Sequence, residues 1–328
     1  MHISKDMQLL YDKAISDGGL APADAPSLIR ALDALPDAMF LLASRLRERR
    51  FGNKVDACSI VNAKSGGCSE DCAFCAQSAH HSANAEYYPL LPEAAILSAA
   101  EKAYSHGVRR FCIVTSGRGI DTDADLDRIA GCIRRIKAMG IMPCATLGTL
   151  DKGQLTVLRD AGLNRFHHNI ETAKGYFKNI CTTHDYEERV ATLKIAGELG
   201  LSLCSGGIMG MGETIEHRAE MAFALKDIGV DSVPLNFLMP IPGTPLEYAK
   251  PIAPHEALKT IALFRFILPY KEIRVCGGRL KGLGDLHPMM FLAGANGVLM
   301  GDYLTTKGRD YAMDSKMLAD LKLVISYG

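Results

Sequence analysis

Three cysteines crowd one short stretch of this chain: Cys68, Cys72 and Cys75, in SGGCSEDCAFCAQS. The spacing C-x3-C-x2-C lets three thiolates fold round one iron–sulfur cluster, for which cysteine thiolate is the standard ligand. No fourth cysteine completes the loop, so one iron is left for a non-protein ligand, as a catalytic zinc is left one ligand short. A zinc knuckle is the competing reading. It calls for paired C-x2-C or C/H sets, and no matching pair follows.

Four further cysteines stand apart from one another: Cys112 in RRFCIVT, Cys144 in MPCATLG, Cys204 in SLCSGGI and Cys276 in IRVCGG. Each of these runs reads as a strand. Side chains alternate across a strand, so four cysteines of inward parity on four strands would converge on a second metal site. A single buried cysteine is more often a small hydrophobe, and Cys58, Cys132 and Cys181 are read that way.

The elements that must hold these groups alternate in type. Residues 1–50 read as helical, with Asp24 or Ser27 available to cap LIRALDAL. Strand patterns follow at 55–61, 109–115, 142–148, 164–170, 202–208, 232–238, 272–277 and 297–301, separated by amphipathic helical stretches. An unbroken series of βα units predicts an α/β fold, a TIM-type (βα)8 barrel with an N-terminal helical extension. An open doubly wound sheet is the competitor. The expected division is an extension over 1–50 and a barrel with a C-terminal helix over 51–328, one domain overall. The three-cysteine loop then follows the first strand, at the face where barrel enzymes keep their active sites.

Lys+Arg and Asp+Glu both number 37, so the net charge is zero and no basic excess points to nucleic acid. No apolar run reaches the ~18 residues that span a bilayer. The N-terminus lacks the h-region of a signal peptide. Ten cysteines without a secretory signal suit a reducing compartment, and a cytoplasmic enzyme is expected.

Several polar groups fall where ligands could be met. His167, Asn169 and Glu171 share a parity in FHHNIET, and His168 has the other. Asn236 lies inside apolar VPLNFLM, where a buried amide needs partners and a ligand could be one. Arg189 alone reads as a solvated helix arginine. His80, His81 and His184 read as unassigned polar surface. The glycines 206, 207, 210 and 212 suit either a tight turn or close backbone approach to a ligand.

The three-cysteine loop resembles that of the radical S-adenosylmethionine superfamily. There the open iron is chelated by the methionine portion of S-adenosylmethionine, and one electron cleaves the sulfonium to a 5′-deoxyadenosyl radical. CSEDCAFCAQS, ATLGTL, HNIET, NICTTHDYEERV, CSGGIMGMGET, SVPLNFLMPIPGTPL and FLAGANGVLMG together resemble the biotin synthase family from about residue 50 to 306. That resemblance implies a [4Fe–4S] cluster on Cys68, Cys72 and Cys75, and insertion of sulfur into dethiobiotin. It also implies an auxiliary [2Fe–2S] cluster on Cys112, Cys144, Cys204 and Arg274, the sulfur donor. Asn169 and Glu171 are implied to meet the ribose and the ureido ring, and Arg189 the methionine carboxylate. A flavodoxin or ferredoxin donor and a homodimer are implied as well. The chain departs from the family pattern at Cys276, two residues beyond Arg274 and of equal parity. If Cys276 is the fourth ligand in place of Arg274, the auxiliary cluster is [4Fe–4S]-like.

Overall fold

Alternation of short strand-forming runs with amphipathic helices closes here into a ring of parallel strands. The computed structural model describes residues 3–327. Three helices come first, α1 (Lys5–Ser16), α2 (Ala25–Ala34) and α3 (Pro36–Phe51). Ser4 caps α1, its hydroxyl accepting from the Met7 N–H at 3.3 Å. Asp24 does stand at the N-cap of α2, but its carboxylate takes the Ala21 N–H and Lys13 instead of a helix amide. Leu28, Leu32, Met39, Leu42 and Ala43 are fully buried, in the same apolar core as the helices of the barrel.

The ring runs β1 (Lys54–Lys64), β2 (Arg110–Thr115), β3 (Met142–Thr146), β4 (Arg165–His167), β5 (Ser202–Cys204) with β6 (Gly207–Met209), β7 (Ser232–Phe237), β8 (Glu272–Val275) and β9 (Gly297–Leu299). β1 pairs with β2 on one side and β9 on the other, which closes the barrel and excludes the open sheet. Helices α4 (Glu93–Ser105), α5 (Asp123–Ala138), α6 (Lys152–Asp160), α7 (Tyr186–Glu198), α8 (Ile215–Ile228) and α9 (Pro254–Ile267) cover the outside, with a short α10 (Arg279–Leu283) after β8. The chain ends in α11 (Tyr311–Asp320) and β10 (Val324–Ile325), which pairs with the start of β1. No helix among the described residues is long and apolar enough to cross a membrane.

β5 and β6 are one broken stave, and glycine makes the break. A Cβ on Gly206 would lie 2.0 Å from the Pro234 carbonyl oxygen, and one on Gly207 2.0 Å from that of Glu171. Gly210 and Gly212 have left-handed φ, and Glu213 accepts the N–H groups of Gly210 and Met211 at 2.8 Å each. Gly206 and Gly207 therefore allow close packing of backbone on backbone.

Alternation along the strands separates two apolar regions. Phe111, Ile113, Ala145, Phe166, Val233 and Val275 point outward into the main core beneath the helices. Cys58, Cys112, Val114, Cys144, Cys276 and Leu299 form a second cluster inside the ring.

Candidate active site

The barrel interior is layered, two residues of strand per layer. At the floor lie Asp56, Arg110, Arg165, Glu272 and Arg274. Arg274 gives Nη2 to Asp56 Oδ1 at 2.6 Å and to Glu272 Oε2 at 3.2 Å. Arg165 grips Glu272 with both terminal nitrogens, at 2.7 and 3.3 Å. Arg110 Nε lies 3.5 Å from Asp56 Oδ1. Three guanidinium groups face two carboxylates, so this buried floor carries one positive charge in excess. Burial works against charge on Glu272, but Arg165 and Arg274 outweigh it and hold the carboxyl at about 2.

One step up the strands stand Cys58, Cys112, Cys144, Cys204 and Cys276, each no more than 6% exposed. All five line one cavity of about 330 Å³, and none is in a disulfide. Four of them occupy the inward positions their parity predicts, and Arg274 and Cys276 do face the same space. Cys58, expected to be core filler, is the fifth. Alternation puts Asp56, Cys58 and Ile60 on one face of β1, but which face turns inward is set by the barrel. Cys132 is buried in the outer core, as expected. The hydrogen bond from Cys112 brings the Cys144 thiol down to about 6. Burial pushes Cys276 up to about 12. Burial also acts to raise Cys204, but His167 beside it more than offsets this and leaves that thiol lowered.

Above the thiols runs a polar rail. His167 Nε2 lies 2.8 Å from Asn169 Oδ1, and Asn169 Nδ2 donates to Glu171 Oε2 at 3.2 Å. Glu171 has φ 66°, a left-handed conformation rare for a residue with a side chain and characteristic of functional positions. Asn236 is already partnered by protein: its amide donates to the Gly207 carbonyl at 3.2 Å and its oxygen accepts from Gly277 N–H at 2.9 Å. It lines the cavity while bracing β6 against the turn after β8.

The three-cysteine loop covers the C-terminal mouth. Cys68 N–H bonds the Gln77 carbonyl at 2.9 Å, Ala79 N–H the Cys68 carbonyl at 2.7 Å, and Cys75 N–H the Cys72 carbonyl at 2.9 Å. Gly67 has φ 62° and lies under the Tyr87 ring, which a Cβ would meet at 2.8 Å. His80 and His81 clasp the loop from outside, at 2.9 Å to the Ser69 carbonyl and 3.0 Å to that of Cys72. His184 is buried, not surface: it pairs with Glu70 through Nδ1 and accepts from Arg189 Nε at 2.8 Å. Arg189 is likewise drawn in. Its Nη1 donates to the Asn169 carbonyl at 2.9 Å and its Nη2 lies 4.0 Å from Cys72 Sγ. Cys181, expected to be inert core, is buried 3.9 Å from Cys72 Sγ.

A second cavity of about 200 Å³ lies under this loop, lined by Cys68, Cys72 and Cys75 with His168, Arg189 and Glu171. His168 Nε2 is buried there without a protein partner. Phe74, Cys75, His167, Asn169 and Glu171 line both cavities, so the two adjoin. The donor sets fit two clusters. Three thiols with one open side face the upper cavity, and a ring of thiols over a positively charged floor faces the lower one.

Such a barrel, with a three-cysteine loop after its first strand, defines a radical S-adenosylmethionine enzyme. The Radical SAM superfamily model matches residues 63–225, and the Biotin and Thiamin Synthesis associated domain matches 234–324. The biotin synthase of Geobacter sulfurreducens is 52% identical over 317 residues, covering 96% of each chain. That of Geobacter metallireducens is 48% identical over 98% of each. The chain belongs to the biotin synthase family. Membership implies a [4Fe–4S] cluster working with S-adenosylmethionine, and dethiobiotin as the second substrate. Among solved structures, methylornithine synthase shares the fold at TM-score 0.82 and 20% identity, covering 97% of each chain. A maturase of the [FeFe]-hydrogenase shares it at TM-score 0.83 and 17% identity, covering 100% of this chain and 76% of that one.

Proposed function

We propose that this chain makes biotin from dethiobiotin, inserting sulfur at two unactivated carbons with radicals drawn from S-adenosylmethionine. The observation that carries this reading is the pair of adjoining cavities, one under a three-thiol loop and the other lined by a ring of thiols. When bound, the first cluster supplies the electron that cleaves S-adenosylmethionine, and the auxiliary cluster supplies the sulfur.

Cys68, Cys72 and Cys75 hold the first cluster. Arg189, kept beside Cys72 by His184, receives the methionine carboxylate, the bidentate task that guanidinium performs best. Asn169 and Glu171 line both cavities and bond the ribose and the ureido ring, with Asn236 two staves further round the wall. The apolar Phe74 side chain lines both cavities and helps to keep water from the radical. Cys112, Cys144, Cys204 and Cys276 hold a [4Fe–4S]-like auxiliary cluster, with Arg274 as neighbour. Two carboxylates already occupy the Arg274 guanidinium, which supports the thiolate over the arginine as ligand. A flavodoxin or ferredoxin supplies the electron, and the enzyme works as a cytoplasmic homodimer. Residues 1–50 serve as a helical extension of one domain completed by 51–328.

Anaerobic incubation with a reductant, S-adenosylmethionine and dethiobiotin tests the reading. Biotin should form, and 5′-deoxyadenosine should rise with added dethiobiotin. Absence of 5′-deoxyadenosine from cluster-loaded protein would refute radical chemistry. Its formation without biotin would leave another reaction of the same class.

A further inference from the structure

Cys58 is the one thiol lining the lower cavity that neither the family pattern nor the four-cysteine reading uses. It is 6% exposed and lines the lower cavity with Cys112, Cys144, Cys204, Arg274 and Cys276. Its place in the ring gives it meaning. In barrel order β8, β9, β1, β2, β3, β5, the thiol layer is made by Cys276, Leu299, Cys58, Cys112, Cys144 and Cys204. Without Cys58, the whole sector between Cys276 and Cys112 offers a cluster no ligand.

Its surroundings favour a bound thiolate over packing. Cys58 is registered opposite Arg110 on β2 and opposite Leu299 on β9. Asp56, two residues before it on the same face, anchors Arg274. Thus two guanidinium groups line the cavity wall beside Cys58, where an apolar side chain would suffice if the position only filled volume. Isolated buried thiols are ordinary, but five round one cavity of about 330 Å³ are not.

We infer that Cys58 is a direct thiolate ligand of the auxiliary cluster, on the β1 side of the barrel. The inference rests on the auxiliary-cluster reading above. Cys58 surrenders its thiol proton on binding iron, and no oxidant or reductant is required. Cys58 would thereby supply the donor that the sector between Cys276 and Cys112 otherwise lacks.

The test uses the full chain with Cys68, Cys72 and Cys75 replaced by alanine, reconstituted with iron and sulfide so that only the auxiliary site loads. Iron and sulfide are counted and Mössbauer spectra recorded for this parent and for the added changes Cys58→Ala, Cys58→Val, Cys276→Ala and Cys112→Ala. Leu299→Val, in the same layer without a thiol, controls for repacking, and thermal unfolding confirms folding. Both Cys58 variants should lose iron and alter the spectrum, and Leu299→Val should do neither. Loss of iron by Cys112→Ala with an unchanged spectrum and iron content in both Cys58 variants would overturn the inference and leave the auxiliary cluster standing. A parent that binds no iron would overturn both. A Cys58→Ala variant that loses iron while Cys58→Val keeps it would also overturn the inference, because volume and not the thiol would then matter.

Discussion

Arg189 takes its role from three neighbours rather than from its own position on a helix. His184 orients it, Asn169 fixes its far end, and Cys72 stands beside it. Replacing it with alanine removes a charge-assisted bond worth about 1.5–3 kcal/mol, so S-adenosylmethionine should bind roughly 10–100-fold more weakly. Equilibrium dialysis checks this, and iron per chain should be unchanged, since Arg189 is no cluster ligand. His184→Ala frees both Glu70 and Arg189 and should give a milder loss of the same kind. At this scale the sequence was an uneven guide. The loop cysteines are legible from spacing alone, because their ligand geometry is local. Arg189, His184 and Cys181 are not, because contacts with residues 109 or more positions away in the chain place them beside the loop.

The strand elements carry their own vulnerabilities. Gly207→Ala would drive a methyl group into the Glu171 carbonyl oxygen, 2.0 Å from the new Cβ, and no flexible side chain is there to yield. It should destabilise the protein by ~3 kcal/mol, read from urea unfolding, and displace Glu171 from the wall of both cavities. Glu272 gives a pH signature. Its carboxyl is held at about 2 against an ordinary 4.5, so the charged form is favoured in the folded state. The stability it contributes is fully present above pH 4.5 and is lost as the pH falls towards 2. Urea midpoints measured across that window should fall in the parent, and Glu272→Gln should lack this part of the slope. Because the variant leaves Arg165 and Arg274 short of a partner, it should also be less stable at neutral pH. Both effects belong to the register of strands: β7 sets Pro234 opposite Arg274, and β4 sets Arg165 opposite Ser202.

For the whole molecule, the N-terminal helices and the barrel share one core. Deleting residues 1–50 would uncover the surface against which Leu28, Leu32, Met39 and Leu42 are now fully buried. The truncated chain should aggregate, measurable by light scattering, rather than fold as a free barrel. The βα alternation, the strand positions and the loop that binds the first cluster were readable from the sequence, because periodicity and local spacing are properties of neighbouring residues. The charged floor of Asp56, Arg110, Arg165 and Glu272 was not read there. Nor was Cys58 placed on the inner face. Barrel strands are buried on both sides, so the pattern VDACSIV looks equally apolar whichever way it turns. The sequence by itself determined that this chain has a radical-generating loop on a barrel with cysteines on its strands. Only closure of β1 against β9 decided which cysteines face one another, because convergence across a ring depends on strand order and stagger, which no single strand encodes.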